Sequence, residues 1–338
     1  MVKKEQLLFA ANIIINILFF KQKLNSPIRS ILVVKLDEIG DMAACTHVFK
    51  LLKNQFPNAP IELLCKPFVK SLVENDPNID HIITDEIKYN KSYSLVVELR
   101  GTWKTLFKSV LYKGKYRLSR AEVRMANKGR QLHEIDTNYE IIKPIINSDK
   151  ANFITHQLYF SQNDIKTVES FLKDNKISKF AIIHAGARRK LRQWPAERFA
   201  FVANYLFEKY KLEIIFSGSQ EDNETYENIE KYIKFKPHYF TNGFSLAMFS
   251  YLCSKASFYI GNESGPLQIA SVFKMPLIAL YGPGVPNVFY PRAQNSIVLH
   301  HVLKCNPCNQ IDCVQPEMPC INLILENDVI MAIDKFLN

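Results

Sequence analysis

The chain predicts an α/β protein made of two successive doubly wound halves, each a parallel sheet with helices on both faces. Three observations carry the prediction. Short apolar runs alternate with longer amphipathic segments over most of the length. Several of those runs end in loops of glycine and charged residues that lead straight into a helix. The 338 residues, 47% of them hydrophobic, suit two domains better than one.

The elements follow in order. Residues 1–27 stand apart: Leu7 to Phe20 is apolar except for Asn12 and Asn16, with Lys3, Lys4, Lys21 and Lys23 around it. Fourteen helical residues span about 21 Å, short of a ~30 Å hydrocarbon core. No small-residue cleavage site follows, which argues against a signal peptide. An interfacial helix fits, and so does a helix docked on the protein's own surface. The first half, 28–150, reads as strands at Ser30 to Leu36, Ile61 to Cys65, His81 to Thr84 and Ser94 to Leu99. Its helices are expected from about Met42 to Gln55, from Thr102 onward and from Leu132 to Ile146.

The second half, 151–338, reads as strands near Gln157 to Phe160, Phe180 to His184, Leu212 to Phe216, His238 to Phe240, Phe258 to Ile260, Pro276 to Tyr281 and Ser296 to His300. Helices are expected at Asp164 to Asp174, Pro195 to Tyr210, Glu221 to Ile233, Ser245 to Ser254, from Ser264 or Gly265, and at Glu326 to Phe336, with Ser245 as an N-cap. Two such halves place an active site in the cleft at the carboxyl ends of both sheets.

Three loops carry chemistry. In Lys35-Leu-Asp-Glu-Ile-Gly-Asp41, Gly40 allows a tight turn and Asp41 sits at a helix opening. It is a candidate catalytic carboxylate or simply a first-turn acid stabilised by the helix dipole. In His184 to Pro195, four cations fall between Arg188 and Arg192. Such a group can neutralise a diphosphate, Arg188 and Arg192 through forked bonds. In Gly261-Asn-Glu-Ser-Gly-Pro-Leu-Gln268, a turn feeds a helix N-terminus, a site for the phosphate end of a nucleotide-sugar. After the neighbouring strand, Glu221 could accept from ribose hydroxyls, or Glu221 and Asp222 could be plain first-turn acids.

The net charge of +10 is unevenly spread. Arg100, Lys104, Lys108, Lys113, Lys115, Arg117, Arg120, Arg124, Lys128 and Arg130 face one acid, Glu122. That is either a solvated face or a surface for something anionic. No nucleic-acid reading motif accompanies it, so nucleic acid is not expected as a partner. Cys45, Cys65 and Cys253 stand singly among apolar residues, whereas Cys305, Cys308, Cys313 and Cys320 cluster. The cluster could hold a structural metal, or be packed or reversibly oxidised thiols. An odd cysteine total without a cleavable signal points to a reducing, cytoplasmic compartment.

In register, these loops resemble the ADP-heptose:lipopolysaccharide heptosyltransferase family, glycosyltransferase family 9. The segments are Ile31 to Met42, His184-Ala-Gly-Ala with Arg192-Gln-Trp-Pro-Ala-Glu-Arg-Phe199, Gly261 to Gln268 and Leu280-Tyr-Gly-Pro283. The resemblance runs from about Ile28 to the C-terminus. It implies the GT-B fold and inverting transfer of a heptose or related sugar from a nucleotide donor, ADP-heptose, to a lipopolysaccharide core. No metal or other catalytic cofactor is implied. Asp41 would be the general base. Arg192, where the family usually has Lys, would bind donor phosphates with Ser264, Gly265 and Pro266. Glu263 and Gln268 stand where the family commonly has Asp and His, and belong to the donor site. The N-terminal half would bind an anionic glycolipid acceptor, with Arg100, Arg117 and Arg120 as candidates, at the cytoplasmic face of the inner membrane as a peripheral protein. Some autotransporter-modifying relatives are thought to bind iron through four cysteines, so zinc or iron is the expected occupant of the cysteine cluster. A protein acceptor, or a nucleotide-sugar-binding protein without catalysis, are the rival readings.

Overall fold

The structure is a computed structural model. It describes residues 2–20, 26–84, 91–105, 111–127, 132–147, 156–308 and 310–338. Lys21, Lys23, Lys108, Lys128 and Arg130 of the sequence reading lie outside them. The chain divides into two compact units, Met1–Tyr159 and Phe160–Asn338.

Unit 1 holds a sheet of five strands: β1 (Ile31–Lys35), β2 (Ile61–Cys65), β3 (His81–Ile83), β4 (Tyr93–Glu98) and β5 (Gly114–Ser119). Their order is β3-β2-β1-β4-β5 and every pairing is parallel. β1 and β2 are buried along their whole length, which is why both read as unbroken apolar runs rather than alternating ones. The strand order reverses between β1 and β4, so the carboxyl ends of those two strands flank the crevice of this unit.

The helix expected from Met42 to Gln55 is two helices, α2 (Ile39–Ala43) and α3 (Thr46–Gln55). The Thr46 hydroxyl turns back to the Ala43 carbonyl at 3.3 Å and the Cys45 thiol to the Met42 carbonyl at 3.2 Å. Such local bonds compete with the helical ladder and break it there. Beyond α4 (Lys70–Val73), the unit continues with α5 (Arg120–Ala126) and α6 (Glu134–Ile142).

The basic segment hides an element that the sequence reading passed over. β5 and α5 lie inside it, and their arginines point inward. Arg117 has a side chain with no exposure, as does Glu98 3.9 Å away. Its guanidinium also donates to Ser119 and to Asn12 and Asn16 of the N-terminal helix α1 (Val2–Phe19). Arg117 is therefore a buried structural cation, not a surface acceptor ligand. Lys104, Lys113 and Lys115 do reach solvent.

Unit 2 holds six parallel strands: β6 (Phe180–His184), β7 (Glu213–Ser217), β8 (His238–Phe240), β9 (Phe258–Asn262), β10 (Leu277–Tyr281) and β11 (Ser296–His300). The order is β11-β10-β9-β6-β7-β8, reversing between β6 and β9. The helices are α7 (Gln162–Asp174), α8 (Ala196–Tyr210), α9 (Asn223–Glu230), α10 (Leu246–Lys255), α11 (Gly265–Ala270), α12 (Pro286–Phe289) and α13 (Glu326–Leu337). Ser245 caps α10 as expected, accepting from the Met248 N–H at 3.1 Å. The strand expected near 157–160 does not join the sheet. Phe160 packs its ring on Tyr251 and Phe273 instead. One core cluster, including Trp194, Phe199, Phe216, Phe258, Leu280, Ile321 and Ile333, fills the space under α8 and α13.

Replacing Arg117 with Met should strand Glu98 without its cation and lower the stability of unit 1 by about 3 kcal/mol. Lys115→Met, on the exposed side of β5, should change it by less than ~0.5 kcal/mol. Urea unfolding followed by hydrogen exchange at the β4 and β5 amides separates the two.

Candidate functional site

Each unit has its motif loops at the point where its strand order reverses. In unit 1 the loop after β1 runs into α2, whose first turn carries Asp41. Lys35, the last residue of β1, is fully buried, and its ammonium bonds Glu134 at 3.0 Å and Asp37 at 3.1 Å. Arg120 clamps both oxygens of Glu134. Arg100 reaches the other oxygen of Asp37 at 3.4 Å. Thus three of the predicted residues, Asp41, Arg100 and Arg120, belong to one charged cluster. Within it, Arg120 is a clamp on Glu134 rather than an open anion receptor.

The cluster sets the acidity of Asp41. Burial, opposed by Lys35 and reinforced by Glu134 and Asp37, pushes its carboxyl up to about 6. Glu134 behaves oppositely. Although burial works against its charge, Lys35 and Arg120 hold its carboxyl well below the usual range, so it stays ionised. A carboxylate poised near neutrality beside a permanently ionised ion-pair network is suited to taking a proton. The residues that the sequence reading missed here are Lys35 and Glu134. A lysine ending the apolar run Ile-Leu-Val-Val-Lys35 was the available signal for the first, whereas Glu134, a first-turn helix acid, carried none.

In unit 2 the loops after β6 and β9 are sewn together by one amide. Asn262 is fully buried. Its Nδ2 donates to the Ala185 carbonyl at 2.7 Å, and its Oδ1 accepts from the Trp194 N–H at 3.1 Å. Trp194 is itself anchored, its indole N–H donating to the Ile324 carbonyl at 2.9 Å. The Gln193 amide closes the loop on the Ala187 carbonyl at 2.9 Å. Arg192, two residues before Trp194, is thereby fixed on a 3₁₀ turn beside the β9 end.

Arg192 bonds Glu263 Oε1 at 3.3 Å and takes Gln310 Oε1 on its Nε at 2.7 Å. Gln310 holds a left-handed backbone, φ 62°, to present that oxygen. Glu263 is 5% exposed. Burial, opposed by Arg192, pushes its carboxyl up to about 7. Its Oε2 is buried with no hydrogen-bond partner, and so is the Ser264 hydroxyl. A side chain at Gly284 would collide with Glu263, since a Cβ there would lie 1.7 Å from Oε2. The backbone at 284 therefore has to be bare for Glu263 to fit.

The remaining donor-site candidates are placed as follows. Ser264 is the N-cap of α11 but makes no capping bond, and Gly265 and Pro266 open the helix. Gln268 is turned to the interior, its amide donating to the Phe289 carbonyl at 2.6 Å, where the Tyr281 hydroxyl also bonds. It braces α11 on the end of α12. Arg188 is exposed. Glu221 is also exposed, whereas Asp222 turns toward the β6 loop, so a Cβ at Gly186 would lie 2.0 Å from its Oδ1. His184, buried at the end of β6, gives its Nδ1 hydrogen to the Ser217 carbonyl at 2.7 Å. Burial, against the pull of Asp222, holds its pKa below the usual imidazole value.

The four clustered cysteines are brought to one place in the fold. Cys305, Cys308, Cys313 and Cys320 line one pocket with Leu191 and Asn306. Asn306 takes up thiol contacts, from Cys305 at 3.8 Å and to Cys320 at 3.9 Å, and the Cys308 sulfur accepts from the Gln310 N–H. All four are free thiols. Among the described residues no group of three or more His, Cys, Asp or Glu side chains is arranged to hold a metal ion. The segment's visible role is to deliver Gln310 to Arg192.

A sequence model of glycosyltransferase family 9 (heptosyltransferase) matches residues 92–318, about two thirds of the chain. Asp41 precedes the matched part. Lipooligosaccharide heptosyltransferase 2 of Campylobacter jejuni serotype O:6 is 26% identical over 315 residues, covering 88% of this chain and 96% of that protein. Among solved structures, a family 9 glycosyl transferase of Veillonella parvula superposes with a TM-score of 0.76 at 20% identity, over 94% of this chain and 99% of that one. The ADP-heptose lps heptosyltransferase II of E. coli superposes with a TM-score of 0.72 at 18% identity, over 91% and 98%.

Two outcomes test this geometry. Asn262→Ala leaves the Trp194 N–H and Ala185 carbonyl buried without partners, so unit 2 should lose about 2–4 kcal/mol, read by chemical denaturation. If Asp41 acts as a base, it must be ionised, so turnover should fall as pH drops through about 6. Glu134→Gln removes a charge that raises Asp41, so the acid limb of the pH–rate profile should move to lower pH.

Proposed function

This chain belongs to glycosyltransferase family 9, the heptosyltransferase family, and we propose that it transfers a heptose from ADP-heptose to a lipopolysaccharide core acceptor with inversion at the anomeric carbon. The observation that carries the reading is the pairing of chemistry with topology. A carboxylate pushed up to about 6 sits at the reversal point of one sheet, and an arginine turn beside an uncapped helix start sits at the reversal point of the other. The names of the Campylobacter and E. coli relatives support the sugar, the nucleotide and the acceptor.

In this mechanism Asp41 removes the proton of an acceptor hydroxyl as that oxygen attacks the anomeric carbon. The bond to the donor phosphate breaks on the opposite face and its electron pair leaves with ADP. Arg192, with Arg188 and the N–H groups of the Ser264–Gly265 turn, takes up the charge that develops on the diphosphate. In the structure Glu263 is the counter-ion of Arg192. When phosphate takes over that role, the Glu263 carboxyl is released to accept from or donate to sugar hydroxyls. Arg100, partly exposed at 31%, is the acceptor-side cation that this reading retains. The setting is the cytoplasmic face of the inner membrane, where a phosphorylated glycolipid suits a protein of net charge +10.

The test is a panel of nucleotide-sugars offered with a lipopolysaccharide core acceptor or an autotransporter protein, followed by mass spectrometry. ADP-heptose should be consumed with the lipid-linked core. Asp41→Asn should lower kcat by roughly 10²–10⁴ with donor binding intact. Arg192→Ala should lower it by roughly 10²–10³. Turnover of a UDP-sugar but not of ADP-heptose would overturn the donor, labelling of the protein alone would overturn the acceptor, and an undiminished Asp41→Asn enzyme would overturn the base.

A further inference from the structure

Helix α1 is apolar nearly all round, and the two asparagines that interrupt it are turned inward. Asn12 is fully buried. Its oxygen accepts from Arg117, and its Nδ2 donates to Glu122 at 3.2 Å. Asn16, one turn on, donates to the same Glu122 oxygen at 2.7 Å and accepts from Arg117 at 3.1 Å. Ile15 and Phe20 close the seam beside Ala11 and Trp103, with the Phe20 ring 5.8 Å from the Arg117 guanidinium. These bonds fix the rotation of the helix about its axis.

The face left outside is apolar. Leu7 is 63% exposed, Ile13 41%, Ile14 56%, Ile17 59% and Leu18 68%. At 100° per residue these positions fall on one contiguous side, opposite the asparagines. A helix resting on a protein in water shows the reverse arrangement, apolar side in and polar side out.

We propose that this face is a docking surface for an anionic lipid bilayer, with α1 lying in the plane of the headgroup boundary. Charge names the occupant. The sequence of this region is basic, with lysines at 3, 4, 21 and 23 against one acid at 5. Where Phe20 meets β5, a Cβ on Gly114 would lie 3.2 Å from its ring, and the residues on either side, Lys113 and Lys115, are exposed. A second copy of the chain would set Lys113 and Lys115 and a segment of net positive sequence against themselves, whereas anionic headgroups complement them. No helix among the described residues is long and apolar enough to cross a membrane, so the helix lies on the bilayer rather than through it. The inference rests on α1 and its contacts and stands whichever sugar the protein transfers.

The experiment is co-sedimentation of the full chain with vesicles of phosphatidylglycerol and phosphatidylethanolamine, against vesicles of phosphatidylcholine alone. The protein should partition onto the anionic vesicles and leave them at high salt. Ile14→Glu with Ile17→Glu should weaken partitioning at least tenfold while leaving the thermal midpoint in place, because both side chains point to solvent. Equal partitioning of the double variant would overturn the proposal. So would failure of the unaltered chain to bind anionic vesicles, or self-association in solution that the same double variant abolishes.

Discussion

The loops of unit 2 that carry Arg192 and Glu263 are held together by the Asn262 side chain. It is the last residue of β9, fully buried, and it holds the loop after β6 at both ends, Ala185 and Trp194. A loop with cations at 188, 189, 190 and 192 would otherwise spread by self-repulsion. Pinned at both ends, it brings Arg192 onto Glu263 and next to the start of α11. Pro195 then opens α8, and Arg198 ties that helix to the Asn322 and Ile324 carbonyls at 2.7 and 2.6 Å. The separation of the motif residues in sequence follows from this arrangement, because strand, staple and cation have to stand in that order.

Unit 1 solves a related problem with charge rather than with an amide. Lys35 is taken fully out of water at the end of a central strand, which is costly for an unpaired ammonium. Asp37 and Glu134 compensate, and Arg120 brings the charge count near balance. Asp41 joins this cluster without a strong partner of its own, so its basicity is set by its surroundings. The same economy accounts for the basic segment. Arg117 and Arg120 are consumed in the interior, one bracing α1 and the other clamping Glu134, while Lys104, Lys113 and Lys115 stay in solvent.

The sheet was legible because parallel strands buried on both faces leave continuous apolar runs, and the motif loops were legible because glycine and charge interrupt those runs. Asp41, Arg192 and Glu263 stand out in that way. β5 was not legible. Its sequence Gly-Lys-Tyr-Arg-Leu-Ser carries two cations in six residues, and nothing local indicates that Arg117 would meet a buried Glu98. The roles of Gln268 and Gln310 were equally hidden, since each depends on a partner set by tertiary packing: the Phe289 carbonyl for one and Arg192 for the other. The cysteine spacing brought four thiols to one pocket, and their contacts with Asn306 and Gln310 could not be read from the spacing. Asn12 and Asn16 stood out as the polar exceptions in an apolar run, and only the packing reveals that both face inward.

The central claim is that a base in unit 1 and a phosphate loop in unit 2 serve one displacement reaction on ADP-heptose. The most direct measurement is the stoichiometry and stereochemistry of a single turnover. Purified protein is mixed with ADP-heptose and a heptose-deficient core acceptor, and ADP release, acceptor mass and the anomeric configuration of the product are followed together. The account predicts that ADP appears only when acceptor is present, that one heptose is gained per ADP released, and that the new linkage has the opposite configuration to the donor. Retention of configuration, or ADP release at the same rate without acceptor, would contradict it.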